Sequence, residues 1–321
     1  MDKVMDWLSS GPPWVEYRSR VELKGEGEGS PAVHSARERM IDHHQVQGIL
    51  DELASWPAAA LKSHKSAGHL LHKLTFVADL GLRQTDSVLE KVIEQVLARQ
   101  SDEGPFQIMM NINPRYGGRG DDEFVWMLCD APLTLYALVK FGLQDDPRIM
   151  AAAEHLTGLI RENGWPCAVS PELGSFRGPG RKDDPCPYAN LVMLKVLAEF
   201  DEWRDSDVTR CGVEAALTLW EERRERHPYL FHMGTDFSKL KAPLIWYDIL
   251  HITEVLTRFP WVRSDKRLLA MVEVIQAKVD GDGRYTPESI WMAWKGWDFG
   301  QKKEPSPWLT FLVWRMLSRL A

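Results

Sequence analysis

The segment "EFVWMLCDAPLTLYALVKFGLQDDPRIMAAAEHLTGLIREN", Glu123–Asn163, holds two helical patterns of different kinds. Its first half, up to Leu143, is apolar on nearly every side, as a helix buried all round reads. After the short link QDDP, Arg148–Asn163 carries one apolar stripe and one charged face, the pattern of a helix with solvent on one side. A buried helix followed closely by a surface helix is the unit from which the rest of the chain can be read.

The pairing recurs. Gly68–Leu82, Tyr188–Phe200, Pro243–Phe259 and Ser306–Leu320 are apolar nearly all round, whereas Ser87–Gln100, Val208–Glu225 and Lys266–Val279 are amphipathic. An earlier pair is Trp14–Leu23, inner, with His34–Trp56, outer. Alternating runs of β-branched residues are nearly absent. The period is about 45 to 60 residues, an internal repeat. Links from an inner helix to the next outer one are short, and the returns are long and rich in Gly and Pro: residues 101–122, 164–182, 226–242 and 280–305. Long loops in a compact domain are more often functional than accidental. Two concentric helix layers would gather these loops at one end, together with the inner-helix N-termini and their partial positive charge. The expectation is an all-α fold, an α/α toroid of about six hairpins in a single domain spanning 1–321, with residues 1–60 as the N-terminal hairpin and a central pocket at the long-loop end.

The 321 residues are 44% hydrophobic and 26% charged, the balance of a soluble globular protein. A net charge of -7 and a pI near 5.8 argue against a general nucleic-acid surface, which needs clustered Lys and Arg. No segment reaches the ~18 uncharged apolar residues of a membrane span, and the Met1 end lacks the apolar stretch of a signal peptide. Four irregularly spaced cysteines do not form a disulfide framework, so a cytoplasmic location is expected. The 14 Trp residues crowd the last third, which suits either a large helical core or an aromatic-lined cavity.

Outer helices close with "ARQSDEGPFQ" (Ala98–Gln107), "IRENGWPC" (Ile160–Cys167) and "AKVDGDGRYTP" (Ala277–Pro287). An apolar helix, a polar turn, then Gly and an aromatic resembles the repeats of the α/α-toroid terpenoid cyclase and protein prenyltransferase superfamily. That resemblance implies a double ring of helices with its site at the mouth of the inner ring. Class II terpene cyclases start one inner helix with Asp-x-Asp-Asp; here Arg181-Lys182-Asp183-Asp184 lacks the first acid. Prenyltransferase β-subunits carry Asp-x-Cys and a His on the next inner helix as zinc ligands. Asp184-Pro185-Cys186 and His251 match that order, so the resemblance implies a zinc site of Asp184, Cys186 and His251. Cys129 and Cys167 also fall near the long-loop end.

The residues carry their own chemistry beside the resemblance. Adjacent carboxylates such as Asp183 and Asp184 cap a helix, or, in a partly buried mouth, serve as acid and base. Asp130 and Asp248 read as lying inside apolar inner helices, where a carboxylate needs a partner or a polar cavity. The candidate catalytic set is therefore Asp183, Asp184, Asp130, Asp248 and His251. Basic residues stand before inner helices, where they oppose the helix dipole; Arg177, Arg181, Lys182, Lys302 and Lys303 are candidate anion contacts. Trp126, Tyr188, Trp246, Tyr247 and Trp297 are candidate walls for an apolar chain or a carbocation. Together these point to a small-molecule enzyme similar to terpenoid cyclases or prenyl-transfer enzymes, acting on a largely apolar substrate with an anionic or polar end. The expected partner is thus a small hydrophobic or amphipathic ligand. Two alternatives stand beside it: a non-catalytic binding protein for a hydrophobic metabolite, and a glycosidase-like toroid with two carboxylates and stacked aromatics.

Overall fold

The computed structural model describes residues 2–174, 176 and 178–320, and the fold is all-α. In chain order the helices are α1 (Asp2–Ser9), α2 (Pro13–Glu22), α3 (Pro31–Ile41), α4 (His44–Leu53), α5 (Leu70–Leu80), α6 (Ser87–Leu97), α7 (Ala131–Leu138), α8 (Pro147–Gly158), α9 (Pro187–Leu197), α10 (Asp201–Arg204), α11 (Asp207–Glu221), α12 (Thr235–Ser238), α13 (Ile249–Leu256), α14 (Lys266–Gln276) and α15 (Pro307–Ser318). Among the described residues the sheet content is one short antiparallel pair, β1 (Ile108–Met110) and β2 (Glu123–Val125), with Ile108 opposite Val125. The chain divides into two compact units: Met1–Ile49 with Gly234–Ala321, and Leu50–Met233.

In the Leu50–Met233 unit, α5 packs on α7 and α7 on α9. Every residue of α7 and α9 is buried, and so is every residue of α5 except Lys73. The amphipathic α8 and α11 lie on α7 and α9 respectively. On α6 the buried positions Leu89, Val92, Ile93 and Val96 follow the three-and-four spacing of a single stripe. A polar knot ties the three buried helices: Tyr136 Oη donates to Asp79 Oδ1 at 2.6 Å, and Lys195 Nζ lies 3.4 Å from Asp79 Oδ2 and 4.2 Å from the Tyr136 ring. Burying Lys195 completely is tolerable only because its charge is matched.

In the other unit α13 is buried throughout and packs on α14 and α15; α15 packs on α1 and α2, and α2 on α3. Among its buried charged groups is Glu254, within 3.0 Å of both Arg315 and Arg319 and 2.9 Å from Arg258. Burial disfavours this carboxylate, but the three guanidinium groups outweigh it and hold Glu254 well below the usual carboxylate range.

Three details differ from the sequence expectation. The stretch Glu123–Leu143 is not one helix: its start is β2 and an extended turn, α7 begins at Ala131, and Val139–Leu143 closes in a π turn. Asp130 is accordingly the residue before α7, and Asp248 the residue before α13, rather than interior helical positions. Asp248 follows the preference of Asp for the N-cap, whereas the start of α7 is favoured by Pro132 in the first turn, where no N–H is needed. The span His34–Trp56 is two helices, α3 and α4, broken at Asp42 and His43, both weak helix formers.

The quoted helix endings do form one recurring frame. Gly104, Gly164 and Gly283 have φ of +113°, +106° and +79°, a region that favours glycine. The aromatic that follows each, Phe106, Trp165 or Tyr285, is almost fully buried. Twice the frame goes further. Cys186 N–H donates to the Trp165 carbonyl at 2.8 Å just before α9, and Ser306 N–H donates to the Tyr285 carbonyl at 2.9 Å just before α15. One turn into each helix a polar side chain receives the aromatic's own N–H: Asn190 Oδ1 from Trp165 at 3.0 Å, Thr310 Oγ1 from Tyr285 at 2.9 Å.

Candidate functional site

The N-termini of α5, α7 and α9 bring a polar cluster together within the Leu50–Met233 unit. The loop before α5 is stitched to the edge of β1, with Leu61 N–H donating to the Met109 carbonyl at 2.8 Å and Asn111 N–H to the Leu61 carbonyl at 3.0 Å. His69, before α5, accepts Leu71 N–H on Nδ1 and places Nε2 3.0 Å from the Ala59 carbonyl. Burial moves His72 down to about 4, so its ring is neutral at pH 7 and Nε2–H donates to the His64 carbonyl at 2.9 Å. The loop that carries His64 is thereby held at Leu61 by β1 and at the His64 carbonyl by His72.

The side chain of His64 meets Asp130. Nδ1 stands 2.9 Å from Asp130 Oδ1, and because a carboxylate only accepts, Nδ1 carries the proton. Asp130 is wholly buried while the His64 side chain is 30% exposed. Burial disfavours the imidazolium, but the Asp130 carboxylate outweighs it and raises His64 above its ordinary value. Asp130 does not cap α7 with its side chain, and among the described residues its Oδ2 has no hydrogen-bond partner. A buried carboxylate oxygen without a donor is costly and calls for a reason.

Cys186 stands at the same cluster as the N-cap of α9, its sulfur accepting Ala189 N–H at 3.5 Å. Cys129, the residue before Asp130, lies with Sγ 3.8 Å from Cys186 Sγ. The hydrogen bond from Cys129 lowers the Cys186 thiol in spite of burial, aided by the Ala189 and Tyr188 N–H groups and by the charge on His64. Cys129 moves the opposite way, well above the usual thiol value, through that same hydrogen bond and through burial. Among the described residues no disulfide joins the cysteines.

His64 also lines a cleft of about 640 Å³. Leu61, Met110, Ile112 and Met127 give it apolar walls, and Lys62 and Arg115, both exposed, put positive charge on its lining. The cleft suits a ligand with an apolar body and an anionic or polar end.

Of the residues singled out in the sequence, Asp130, Cys186 and Tyr188 belong to this cluster, the Tyr188 ring lying 6.3 Å from that of His64. Arg181, Lys182 and Asp183 are exposed and Asp184 half-buried; the carbonyls of Lys182 and Asp183 accept from Arg161 and Asn163. Trp126 is buried and donates Nε1–H to Glu103 at 2.9 Å. Arg177 lies outside the described residues. In the other unit, Asp248 caps α13 by accepting His251 N–H at 3.0 Å, and His251 Nδ1 is 3.0 Å from the Trp246 carbonyl. Tyr247 packs on Phe237, and Trp297 packs among Trp14, Trp294 and Phe299. Lys302 and Lys303 are exposed. Among the described residues no group of three or more His, Cys, Asp or Glu side chains is placed to hold a metal ion, so the zinc expectation for Asp184, Cys186 and His251 meets no such group.

Sequence reasoning passed over His64, His69 and His72. The signal was their crowding in "HKSAGHLLH", three imidazoles in nine residues at the start of a buried helix. Among the described residues no helix is long and apolar enough to cross a membrane. No family model and no curated protein matches the chain. Among solved structures it is similar to a protein from Actinoplanes, at 15% identity over 96% of this chain and 89% of that one, with a TM-score of 0.43.

Proposed function

We propose that the chain is a small-molecule enzyme whose acid–base group is His64, charged and oriented by Asp130. The observation that carries this reading is the 2.9 Å contact between a buried carboxylate and an imidazole on the wall of an open cleft. His64 donates a proton from its ring as charge develops on the substrate, and Asp130 stabilises the imidazolium and fixes which ring nitrogen holds the retained proton. The substrate is largely apolar with an anionic or polar end, the apolar part on Met110, Ile112 and Met127 and the charged end near Lys62 and Arg115. This is the substrate class of terpenoid cyclases and prenyl-transfer enzymes, and the α/α toroid of those enzymes is the arrangement we propose for the alternating buried and amphipathic helices. The irregular spacing of the four cysteines favours a reducing, cytoplasmic setting.

The test begins with gentle purification, extraction and mass spectrometry of whatever small molecule the protein retains. Conversion of that compound is then compared between the wild type and His64→Ala. A fall of about 10²–10⁴-fold with binding retained is expected for loss of a general acid. Equal conversion by His64→Ala would remove the acid–base reading, and a compound bound but never converted by the wild type would make the protein a carrier.

A further inference from the structure

We propose that Cys129 and Cys186 form a peroxide-reactive dithiol, Cys186 being the attacking sulfur and Cys129 the resolving one. The inference rests on the sulfur geometry and stands whether or not His64 is a catalytic acid.

The first observation is distance. The two sulfurs are 3.8 Å apart and already share a hydrogen bond. A disulfide needs about 2.05 Å, so an approach of roughly 1.8 Å, within reach of side-chain rotation, closes the pair. The second is asymmetry. Backbone N–H at the start of α9 points at Cys186 Sγ, and the positive end of a wholly buried helix stabilises negative charge there. The lowered Cys186 thiol and the raised Cys129 thiol assign one sulfur as nucleophile and the other as proton-bearing partner.

The third observation is that capping does not explain the thiol. In the equivalent frame before α15 the cap is Ser306, whose Oγ accepts Leu309 N–H at 3.1 Å, against 3.5 Å for the sulfur. Serine is among the preferred caps and cysteine is not, so the frame favours a hydroxyl at a place that holds a thiol. Access is narrow, with Cys129 7% and Cys186 4% exposed. That selects a reagent hardly larger than water. Met127, two residues from Cys129, lies on the cleft wall.

The chemistry balances with peroxide as the oxidant. The Cys186 thiolate attacks one peroxide oxygen, the O–O bond breaks, and hydroxide leaves, giving a sulfenic acid at Cys186. The Cys129 thiol, losing its proton, then attacks the Cys186 sulfur. The S–O bond breaks, water leaves and the disulfide forms. Overall two thiols lose two electrons and two protons, and peroxide becomes two waters. The bridge would join the residue before Asp130 to the cap of α9 and remove the thiolate charge that acts on His64.

The experiment treats the full chain with a few equivalents of hydrogen peroxide, blocks remaining thiols with an alkylating agent after denaturation, and maps the peptides. The expected wild-type product is a Cys129–Cys186 crosslinked peptide that a phosphine reductant reverses. In Cys129→Ser, Cys186 should stop at the sulfenic acid and be captured by a cyclic diketone probe. Cys167 and Cys211 are internal controls for general oxidation. Should a folding defect appear in Cys129→Ser by circular dichroism, the wild-type map alone decides. Oxidation at Cys167 or Cys211 with Cys129 and Cys186 still reduced, or a bridge between any other pair, overturns the proposal.

Discussion

Helix α9 in one unit and helix α15 in the other start from the same frame: a positive-φ glycine, a buried aromatic, and a cap residue whose N–H returns to the aromatic's carbonyl. Before α15 the frame is complete in itself. Ser306 accepts Leu309 N–H and donates to Asp298 Oδ2 at 2.5 Å. Before α9 it holds a thiol, paired with a second thiol. The aspartates differ in the same sense. Asp248 spends Oδ1 on its own helix by accepting His251 N–H, whereas Asp130 leaves α7 uncapped by its side chain and holds His64 instead. Where the repeat obeys its own local rules the residues maintain the fold; where it gives up a favourable cap, the group released is available for chemistry.

The largest effect should come from Asp130→Asn. An amide can still accept from His64 Nδ1–H but no longer supports a charged ring. Conversion of the retained compound should fall by about 10²-fold or more, and what conversion remains should depend on pH with an alkaline limb moved toward lower pH, because the variant's imidazolium loses its proton sooner. Wild-type rates with an unmoved limb would erase the distinction between the two aspartates.

Next in size is the pH dependence expected from Asp248. Burial raises this carboxyl from 3.8 to about 7, although Lys241 and the His251 N–H act against the shift. Between those values the folded chain keeps a proton that the unfolded chain has released. The stability contribution is therefore fully present below about pH 4 and is lost as pH rises through about 7, a difference of ~4 kcal/mol in magnitude. Asp248→Asn, which retains an oxygen for His251 N–H, should flatten that slope in urea titrations between pH 4 and pH 7. A wild-type slope that survives the substitution would mean that Asp248 is charged in the folded protein, and that the two caps differ less than their surroundings suggest.

The two kinds of helix were legible because burial writes itself along a whole element: α7, α9 and α13 are apolar on every side, and α6, α11 and α14 on one. Helix starts were legible only to within several residues. Apolar chain such as Val125–Cys129 is buried whether extended or helical, and hydrophobicity does not distinguish the two. The site was legible in part. Asp130 and Cys186 drew notice as chemically awkward residues at apolar helices. His64 did not, since its role depends on Asp130, 66 residues further on, and on a loop stitched to β1, contacts that link residues far apart in the chain. Asp183 and Asp184 look like an acid pair in sequence, yet the turn before α9 leaves Asp183 in solvent.

The smallest expected effects come from exchanging the two caps. Cys186→Ser installs the residue that the frame favours, so the unfolding midpoint should move by no more than the equivalent of ~1 kcal/mol. Ser306→Cys should cost about 1–2 kcal/mol, because the half-buried Asp298 side chain loses its hydroxyl donor and retains the Trp308 N–H at 2.9 Å. The asymmetry is the informative part. If the thiol at 186 were a cap like any other, the two exchanges would give mirror-image changes in stability. If it is kept for its reactivity, Cys186→Ser leaves stability almost unmoved and abolishes the peroxide-induced crosslink, while Ser306→Cys weakens its unit and gains no comparable reactivity, its own unit holding no second thiol.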